Sequence, residues 1–282
     1  MNDWFDGHVH AAPDVIPRLT DDADLAKHYR EAGAVGFVLK AHHESTVGRA
    51  LAARRASGLD VVGGVALNHA TGGISAATVL ATLRSGGRVV WMPTADAKIH
   101  ADRSLPRLCD LDARVSAATL ALPPVDPSTE DEVRRILDLI AEHDAVLATG
   151  HVSGPEVFWL VDAARAHGVG RIVATHPAYV APGLSVPEIA ELAGLGAHIE
   201  ITAHQLLHQP GCTAAQLAEV AAAAGDGLLL TSDVGQVDSP EPRDALEWLT
   251  TELVAAGADA GRLRRAWTST PARLFGTPAS TI

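Results

Sequence analysis

The sequence has few cysteines and no excess of positive charge. Its 282 residues include two cysteines, Cys109 and Cys212, which lie far apart and form no CxxC pair. This spacing argues against a zinc ribbon and a disulfide scaffold and suggests a reducing compartment, so we expect a cytoplasmic protein. The formal net charge of −12 argues against a broad nucleic-acid-binding surface, which needs clustered lysine and arginine.

Long hydrophobic runs are also missing. No apolar stretch reaches the ~20 residues that a membrane-spanning helix requires. The first residues carry acidic side chains where a secretory signal carries positive charge, and no apolar core follows them. We therefore expect neither a membrane-bound nor an exported protein. With 47% hydrophobic and 20% charged residues, the composition is that of a globular chain.

The sequence does contain a regular alternation of short apolar runs and longer amphipathic ones. The pattern predicts strands over residues 4–10, 35–40, 60–67, 88–92, 145–150, 172–175, 198–202 and 228–232. It predicts helices over residues 21–31, 45–56, 75–84, 128–143, 155–167, 187–195, 213–224 and 242–256, and short closing helices over 262–267 and 271–275. Eight strands, each followed by a helix, predict an α/β protein with one (β/α)8 TIM barrel domain over residues 1–282, a fold that typically needs ~250 residues.

A doubly wound open sheet is the main alternative, but the first predicted strand lacks the Gly-rich phosphate turn that usually follows it in that fold. Residues 93–127 interrupt the alternation between the fourth strand and its helix. Within them, residues 113–122 predict an extra strand or a helix. Long loops inside compact domains are usually functional or disordered, so we expect this insertion to form a lid over the barrel mouth.

Side chains of the kind that bind metals end or follow several predicted strands. They are His8 and His10 on the first strand, Lys40 on the second, and His151, His176 and Asp233 after the fifth, sixth and eighth. The active site of a (β/α)8 barrel lies at the C-terminal ends of its strands, so these side chains should converge. His8 and His10 point to the same side of their strand. Imidazoles combined with a carboxylate suit Zn, Mn, Fe or Ni.

This joint pattern resembles the amidohydrolase superfamily. The opening HVHAAPDVIPR, residues 8–18, is also similar to a small, poorly characterised amidohydrolase-like group. The resemblance implies a metal-dependent hydrolase with one or two divalent ions, zinc being the expected ion and Mn, Fe and Ni the alternatives. By the same resemblance, His8 and His10 would bind one metal, and His151 and His176 a second. Asp233 would bind the first metal and act as the catalytic residue that takes a proton from the attacking water.

One departure from the family pattern concerns lysine. Binuclear members commonly carry a carboxylated lysine at the end of strand four, where this chain has Trp91-Met-Pro-Thr94. We predict that a carboxylated Lys40 supplies the bridging group from strand two instead. The alternatives are a free ammonium that binds an anionic substrate, and a lysine that forms a Schiff base. Without a bridge, a mononuclear site is expected.

Further polar residues are predicted to surround the metals. We expect Arg18, His42, His43 and His204 to bind the substrate or to stabilise an oxyanion. Because His42 and His43 are adjacent, both are not expected to point inward. Glu200 lies within the seventh predicted strand, where a buried carboxylate needs a partner. The expected partner is a ligand histidine, and a structural ion pair is the alternative.

The predicted reaction is attack of a metal-activated hydroxide on an amide or cyclic amide carbonyl of a small molecule. A lactonase or a phosphoester hydrolase would use the same site, because the same attack serves all three. A metal-dependent decarboxylase occurs on this scaffold in related families and generally needs one metal. Hydrolases of the polymerase-and-histidinol-phosphatase type are also similar, but they typically have seven strands. The least favoured alternative, a non-catalytic metal-binding protein, would have a closed coordination shell. The sequence does not determine the oligomeric state, and a homo-oligomer is one possibility.

Overall fold

The computed structural model describes residues 3–276, so residues 1–2 and 277–282 of the predicted domain lie outside the described residues. The strands are β1 Trp4–Val9, β2 Ala34–Leu39, β3 Asp60–Val62, β4 Gly64–Ala66, β5 Val89–Trp91, β6 Val146–Ala148, β7 Ile172–Ala174, β8 His198–Thr202 and β9 Leu228–Thr231. Every predicted strand is present, and most of them are shorter than predicted. No helix among the described residues is long and apolar enough to cross a membrane.

Twelve helices accompany these strands within the described residues. They are α1 Asp22–Glu31, α2 Val47–Ser57, α3 Ala76–Arg84, α4 Lys98–Asp102, α5 Glu130–Glu142, α6 Gly154–Ala166, α7 Val186–Gly194, α8 Ala203–His208, α9 Ala214–Ala224, α10 Pro242–Ala255, α11 Ala260–Ala266 and α12 Ser269–Phe275. The sequence analysis missed α4 and α8. Both are a turn or two long, too short for a hydrophobic period to be visible.

The strands form two hydrogen-bonded sheets, one from β1 to β3 and one from β4 to β9. Within each sheet, neighbouring strands are parallel and follow chain order. The break falls at Gly63, inside the single strand predicted over residues 60–67. There the Thr46 hydroxyl accepts a hydrogen bond from Gly64 N at 3.0 Å, and Thr46 N donates to Gly64 O at 3.0 Å. Thr46 therefore takes bonds that a neighbouring strand would otherwise make.

The circle closes between the first and last strands. Asp233 N donates to His8 O at 2.8 Å, and His10 N donates to Val234 O at 2.9 Å. The structure is thus a (β/α)8 barrel, as the alternation predicted. An inner core fills it, and α12 contributes Leu274 and Phe275 to that core. Full burial of such side chains stabilises the fold by about 1.5–3 kcal/mol each.

The insertion over residues 93–127 contains α4 and the 3-10 turn Leu108–Asp110, and a second 3-10 turn, Pro127–Thr129, begins at its last residue. The strand or helix predicted for residues 113–122 is wrong, because only an isolated bridge joins Leu120 to Ala97. The Arg107 guanidinium instead donates to three main-chain carbonyls in this region, those of Ala95, Ala117 and Ala118. One side chain therefore replaces the regular backbone bonding that a strand or helix would provide.

Candidate active site

His8, His10 and Asp233 form a buried cluster at the joined ends of the first and last strands. Asp233 Oδ1 lies 3.0 Å from His8 Nε2 and 3.3 Å from His10 Nε2. One potential ligand atom from each residue lies within 4.8 Å of the others, and no second group of this kind occurs among residues 3–276. Two imidazoles and a carboxylate are a donor set that suits a divalent transition metal.

Asp6 lies on β1, two residues before His8, and its carboxylate accepts hydrogen bonds from both chain segments that carry this cluster. Its Oδ1 accepts hydrogen bonds from His8 N at 3.1 Å and Ser232 N at 3.0 Å, and its Oδ2 accepts one from Tyr29 OH at 2.7 Å. Asp6 is fully buried, and burial raises the pKa of its carboxyl group. The sequence analysis missed Asp6, although a charged residue within an apolar strand was a usable signal.

Two of the site residues have a left-handed backbone. His176 has a φ of 25° and Asp233 a φ of 50°. Holding a non-glycine residue in such a region costs on the order of 1–3 kcal/mol, and this kind of strain concentrates at functional sites. Buried hydrogen bonds stabilise both conformations, because Asp233 N donates to His8 O, and His176 N donates to Glu200 Oε2 at 3.1 Å.

Glu200 on β8 is the partner of His8. Its Oε1 lies 3.0 Å from His8 Nδ1 and also accepts a hydrogen bond from the Thr231 hydroxyl at 2.9 Å. Because a carboxylate only accepts, His8 Nδ1 donates and Nε2 is left facing Asp233. This is the arrangement in which metal-binding histidines are usually held. Burial lowers the pKa of His8, but Asp233 and Glu200 outweigh it and raise the pKa to about 9.

Lys40 reaches the cluster from the end of β2. Its Nζ lies 3.0 Å from His8 Nε2 and 5.7 Å from the centroid of the Trp91 ring. The side chain is buried, and burial lowers the pKa of its ammonium group. The lysine predicted to replace the missing strand-four residue is therefore in contact with a candidate ligand.

Thr94 follows β5, near the position where the family pattern places the bridging lysine, and its side chain contacts His42. The Thr94 hydroxyl lies 2.8 Å from His42 Nδ1. Asn68 Nδ2 donates to that hydroxyl and to His42 O, both at 2.7 Å. Asn68 and Thr94 thus hold both the ring and the backbone of His42. The sequence analysis missed both residues, because polar residues in loops carry no periodic signal.

His151 and His176 lie beside the cluster. Their ring centroids are 4.9 Å apart, and the His176 centroid is 6.2 Å from that of His8. His151 Nε2 and His176 Nδ1 are buried without a hydrogen-bond partner among the described residues. Burial lowers the pKa of both rings, that of His176 to about 4, so both are neutral at pH 7. Neutral imidazoles with unpartnered nitrogens are suited to bind a cation.

A cavity of about 240 Å³ lies over these side chains. All four residues predicted to bind substrate contribute to its wall: Arg18, His42, His43 and His204. The prediction that His42 and His43 would not both point inward is wrong. The chain leaves strand geometry after Leu39, so adjacent side chains no longer alternate between two faces. Leu105 to Leu108 and Leu111 of the insertion also line the cavity, and a lid function for this segment stays a prediction.

Residues 3–200 match a sequence model described as a family of unknown function, DUF6282. The chain belongs to this family. No curated protein matches the chain in sequence. For this DUF6282 chain, the fold rather than the sequence therefore provides the comparison with characterised proteins.

Several solved structures are similar to this member of DUF6282. One is a lactonase from Listeria monocytogenes, with a TM-score of 0.64, 12% identity, and coverage of 96% of this chain and 94% of that chain. Another is an amidohydrolase from Pseudomonas aeruginosa, with a TM-score of 0.60, 14% identity, and coverage of 98% of this chain and 97% of that chain. A third is an organophosphorus hydrolase from Deinococcus radiodurans, with a TM-score of 0.57, 15% identity, and coverage of 96% of this chain and 92% of that chain. At these identities the likeness shows the fold alone, and it agrees with the predicted (β/α)8 barrel.

The two arginines that line the cavity of the DUF6282 chain are each paired with a carboxylate. Arg18 donates to Asp14 at 2.7 and 2.8 Å, and Arg107 lies 3.3 Å from Asp96. Apolar side chains surround the opening, and three of them are exposed, Val15 at 48%, Ile16 at 40% and Leu111 at 58%. The cavity therefore has a polar floor rich in histidine and an apolar rim.

Proposed function

We propose that this chain is a metal-dependent hydrolase that cleaves an amide or cyclic amide bond in a small molecule. The observation that carries the proposal is the convergence of His8, His10 and Asp233 beneath a small cavity at the C-terminal end of the barrel. Similar structures named as a lactonase, an amidohydrolase and an organophosphorus hydrolase support a hydrolytic reaction on this fold.

The donor atoms fit one or two divalent cations. His8, His10 and Asp233 would hold the first, and the unpartnered nitrogens of His151 and His176 would contribute to a second. Zinc is the expected ion, and Mn, Fe and Ni suit the same nitrogen and oxygen donors. When bound, such a cation polarises the substrate carbonyl and lowers the pKa of a coordinated water towards ~7.

The chain's own residues supply the proton transfers and the orientation. Asp233 accepts a proton from the attacking water at its carboxylate and passes it to the leaving group. Glu200 keeps the His8 ring in place through Nδ1. His42 and His204 line the cavity wall, and burial lowers the pKa of both. As neutral rings, each offers one N–H that can stabilise an oxyanion.

The cavity favours an uncharged substrate with an apolar substituent. Arg18 and Arg107 are neutralised by Asp14 and Asp96, so neither is available as a free cation for a substrate carboxylate. The exposed aliphatic rim offers apolar contact instead, and the volume of about 240 Å³ limits the substrate to a small molecule. If Lys40 is carboxylated as well, no cationic side chain on the described cavity wall is left to pair with an anionic substrate, which would disfavour the decarboxylase alternative. Lactones and neutral phosphoesters fit the same cavity.

The function is tested by removing and restoring the metal. Protein treated with a chelator is expected to lose turnover and to regain it with Zn, compared against Mn, Fe and Ni. Uncharged amides, cyclic amides, lactones and phosphoesters are assayed, each beside an analogue that carries a carboxylate. Preferred turnover of the uncharged amides supports the proposal. Preferred lactone or phosphoester turnover would assign that reaction instead, and failure to bind any of the four metals would refute the metal-dependent mechanism.

Carboxylation of Lys40 is a separate prediction. Burial already favours the neutral amine that reacts with CO₂, and a carbamate formed on Nζ would lie beside His8, whose Nε2 is 3.0 Å away. We expect Lys40→Met and Lys40→Arg each to lower kcat by about 100-fold, because neither side chain can be carboxylated. Carbon-13 bicarbonate should give a carbamate resonance in the unmodified protein and none in these variants.

Lys98→Met is the matched control for Lys40. Lys98 is half exposed on α4 and pairs with Asp102, so its loss should leave kcat and the carbamate resonance unchanged. Full activity in Lys40→Arg together with lost activity in Lys40→Met would show that a positive charge, and not a carbamate, is required at this position.

A further inference from the structure

His100, on α4 within the insertion, contacts both a main-chain carbonyl and His151. Its Nε2 lies 2.9 Å from Pro106 O, and its Nδ1 lies 3.0 Å from His151 Nδ1. The two rings are stacked, with centroids 5.0 Å apart and an interplanar angle of 17°. Because a carbonyl oxygen only accepts hydrogen bonds, the Nε2 atom of His100 carries a hydrogen.

The positions of the remaining hydrogens follow from this contact. In a neutral His100 ring, Nδ1 is an acceptor, so the hydrogen between the two rings belongs to His151 Nδ1. His151 Nε2 then holds a lone pair, and this atom is buried with no partner among the described residues. The hydrogen bonds therefore run in one direction, from His151 Nδ1 through His100 to the Pro106 carbonyl, and they leave a lone pair on His151 Nε2 that can bind a metal ion.

The opposite arrangement is unfavourable. It requires a doubly protonated His100, whose positive charge would be buried near the Arg107 guanidinium. It would also leave a hydrogen on His151 Nε2 without an acceptor, and a buried unsatisfied donor costs about 1–3 kcal/mol. Only the arrangement with a neutral His100 avoids a buried positive charge and leaves a lone pair on His151 Nε2 that can bind a cation.

We infer that His100 is a positioning residue that fixes the tautomer of His151 and thereby directs the Nε2 lone pair of His151 to a divalent cation. The inference rests on the proposed function and adds a residue that the ligand set does not contain. It also gives the insertion a second role. Besides lining the cavity, the segment from His100 to Pro106 forms part of the support of the metal centre.

The experiment compares three replacements of His100 by Co²⁺ titration, followed by visible absorption and by elemental analysis after gel filtration. His100→Phe keeps a flat ring but removes the acceptor. His100→Asn retains an acceptor, because its Oδ1 can take the place of the Nδ1 atom. His100→Gln places its amide near the Nε2 position and leaves the Nδ1 position empty. His69→Phe is the control, since His69 also contacts the insertion, through Ala118 O at 3.2 Å.

The unmodified protein and the His69→Phe variant are expected to bind two equivalents of Co²⁺. In His100→Phe and His100→Gln the second equivalent should bind about 10–100-fold more weakly, as for other residues that support metal ligands. The first equivalent should be unaffected, and His100→Asn should retain the second. If His100→Phe does not fold, the comparison of Asn with Gln decides.

Three results would overturn the inference. The second equivalent could bind as tightly to His100→Phe and His100→Gln as to the unmodified protein, or as weakly to His100→Asn as to His100→Gln. Binding of only one equivalent by the unmodified protein would also overturn it, while leaving a one-metal hydrolase intact. Binding of no equivalent at all would refute the proposed function together with the inference.

Discussion

Replacing Asp233 with asparagine is expected to lower kcat by about 1000-fold or more at saturating metal, while the protein remains folded. The amide has nearly the same shape as the carboxylate, but it cannot accept a proton from the attacking water. It also removes the negative charge that lies within 3.3 Å of both His8 Nε2 and His10 Nε2. The measurements are kcat, the metal content and the free energy of unfolding in urea.

Asp238→Asn is the matched control for this variant. Asp238 lies five positions further along the chain, its side chain is 71% exposed, and its nearest ionic partner is His208 at 4.0 Å. Its replacement should leave kcat unchanged. If Asp233→Asn retained full activity with bound metal, Asp233 would have no part in proton transfer, and a different base on the cavity wall would have to be sought.

Replacing Asp6 with alanine is expected to lower the free energy of unfolding by about 3–5 kcal/mol. The change leaves three buried donors without their acceptor, namely His8 N, Ser232 N and the hydroxyl of Tyr29. The first two belong to opposite sides of the barrel closure, so we also expect weaker metal binding at His8 and Asp233. Urea unfolding and Co²⁺ titration measure the two effects.

One further variant separates the hydrogen bonds of Asp6 from its charge, and a second serves as a surface control. Asp6→Asn keeps one oxygen acceptor for the two main-chain donors and should lose much less stability than Asp6→Ala. Asp162→Ala, at an exposed position on α6, should change stability by less than about 0.5 kcal/mol. A loss of under about 1 kcal/mol in Asp6→Ala would show that the barrel closure does not depend on this carboxylate.

The cluster of candidate metal ligands was predictable because its signals are local. A histidine two positions after another on one strand, and an aspartate directly after a later strand, are visible in the sequence. Parallel strands of a closed barrel end at the same rim, so the fold class is enough to bring His8, His10 and Asp233 together. The cost of burying an unpaired carboxylate predicted that Glu200 would have a ligand histidine as its partner, and the structure identifies that histidine as His8.

The contacts that hold these ligands were not predictable in the same way. Asp6 binds Ser232 across 226 positions of the chain, and His100 meets His151 across 51. Hydrophobic periodicity tells which face of an element is buried, but not which polar atoms meet. His100 additionally lies in an insertion whose irregular backbone is held by Arg107 rather than by a repeating pattern.

By itself, then, the sequence determined the barrel and the chemical types gathered at its rim, because both follow from short patterns repeated along the chain. Tertiary structure alone decided three matters. It placed Lys40 against His8, it brought His42 and His43 to one cavity, and it gave His151 its tautomer through His100. Each depends on the direction of a side chain in a loop or at a strand end, and such directions are set by packing against distant residues.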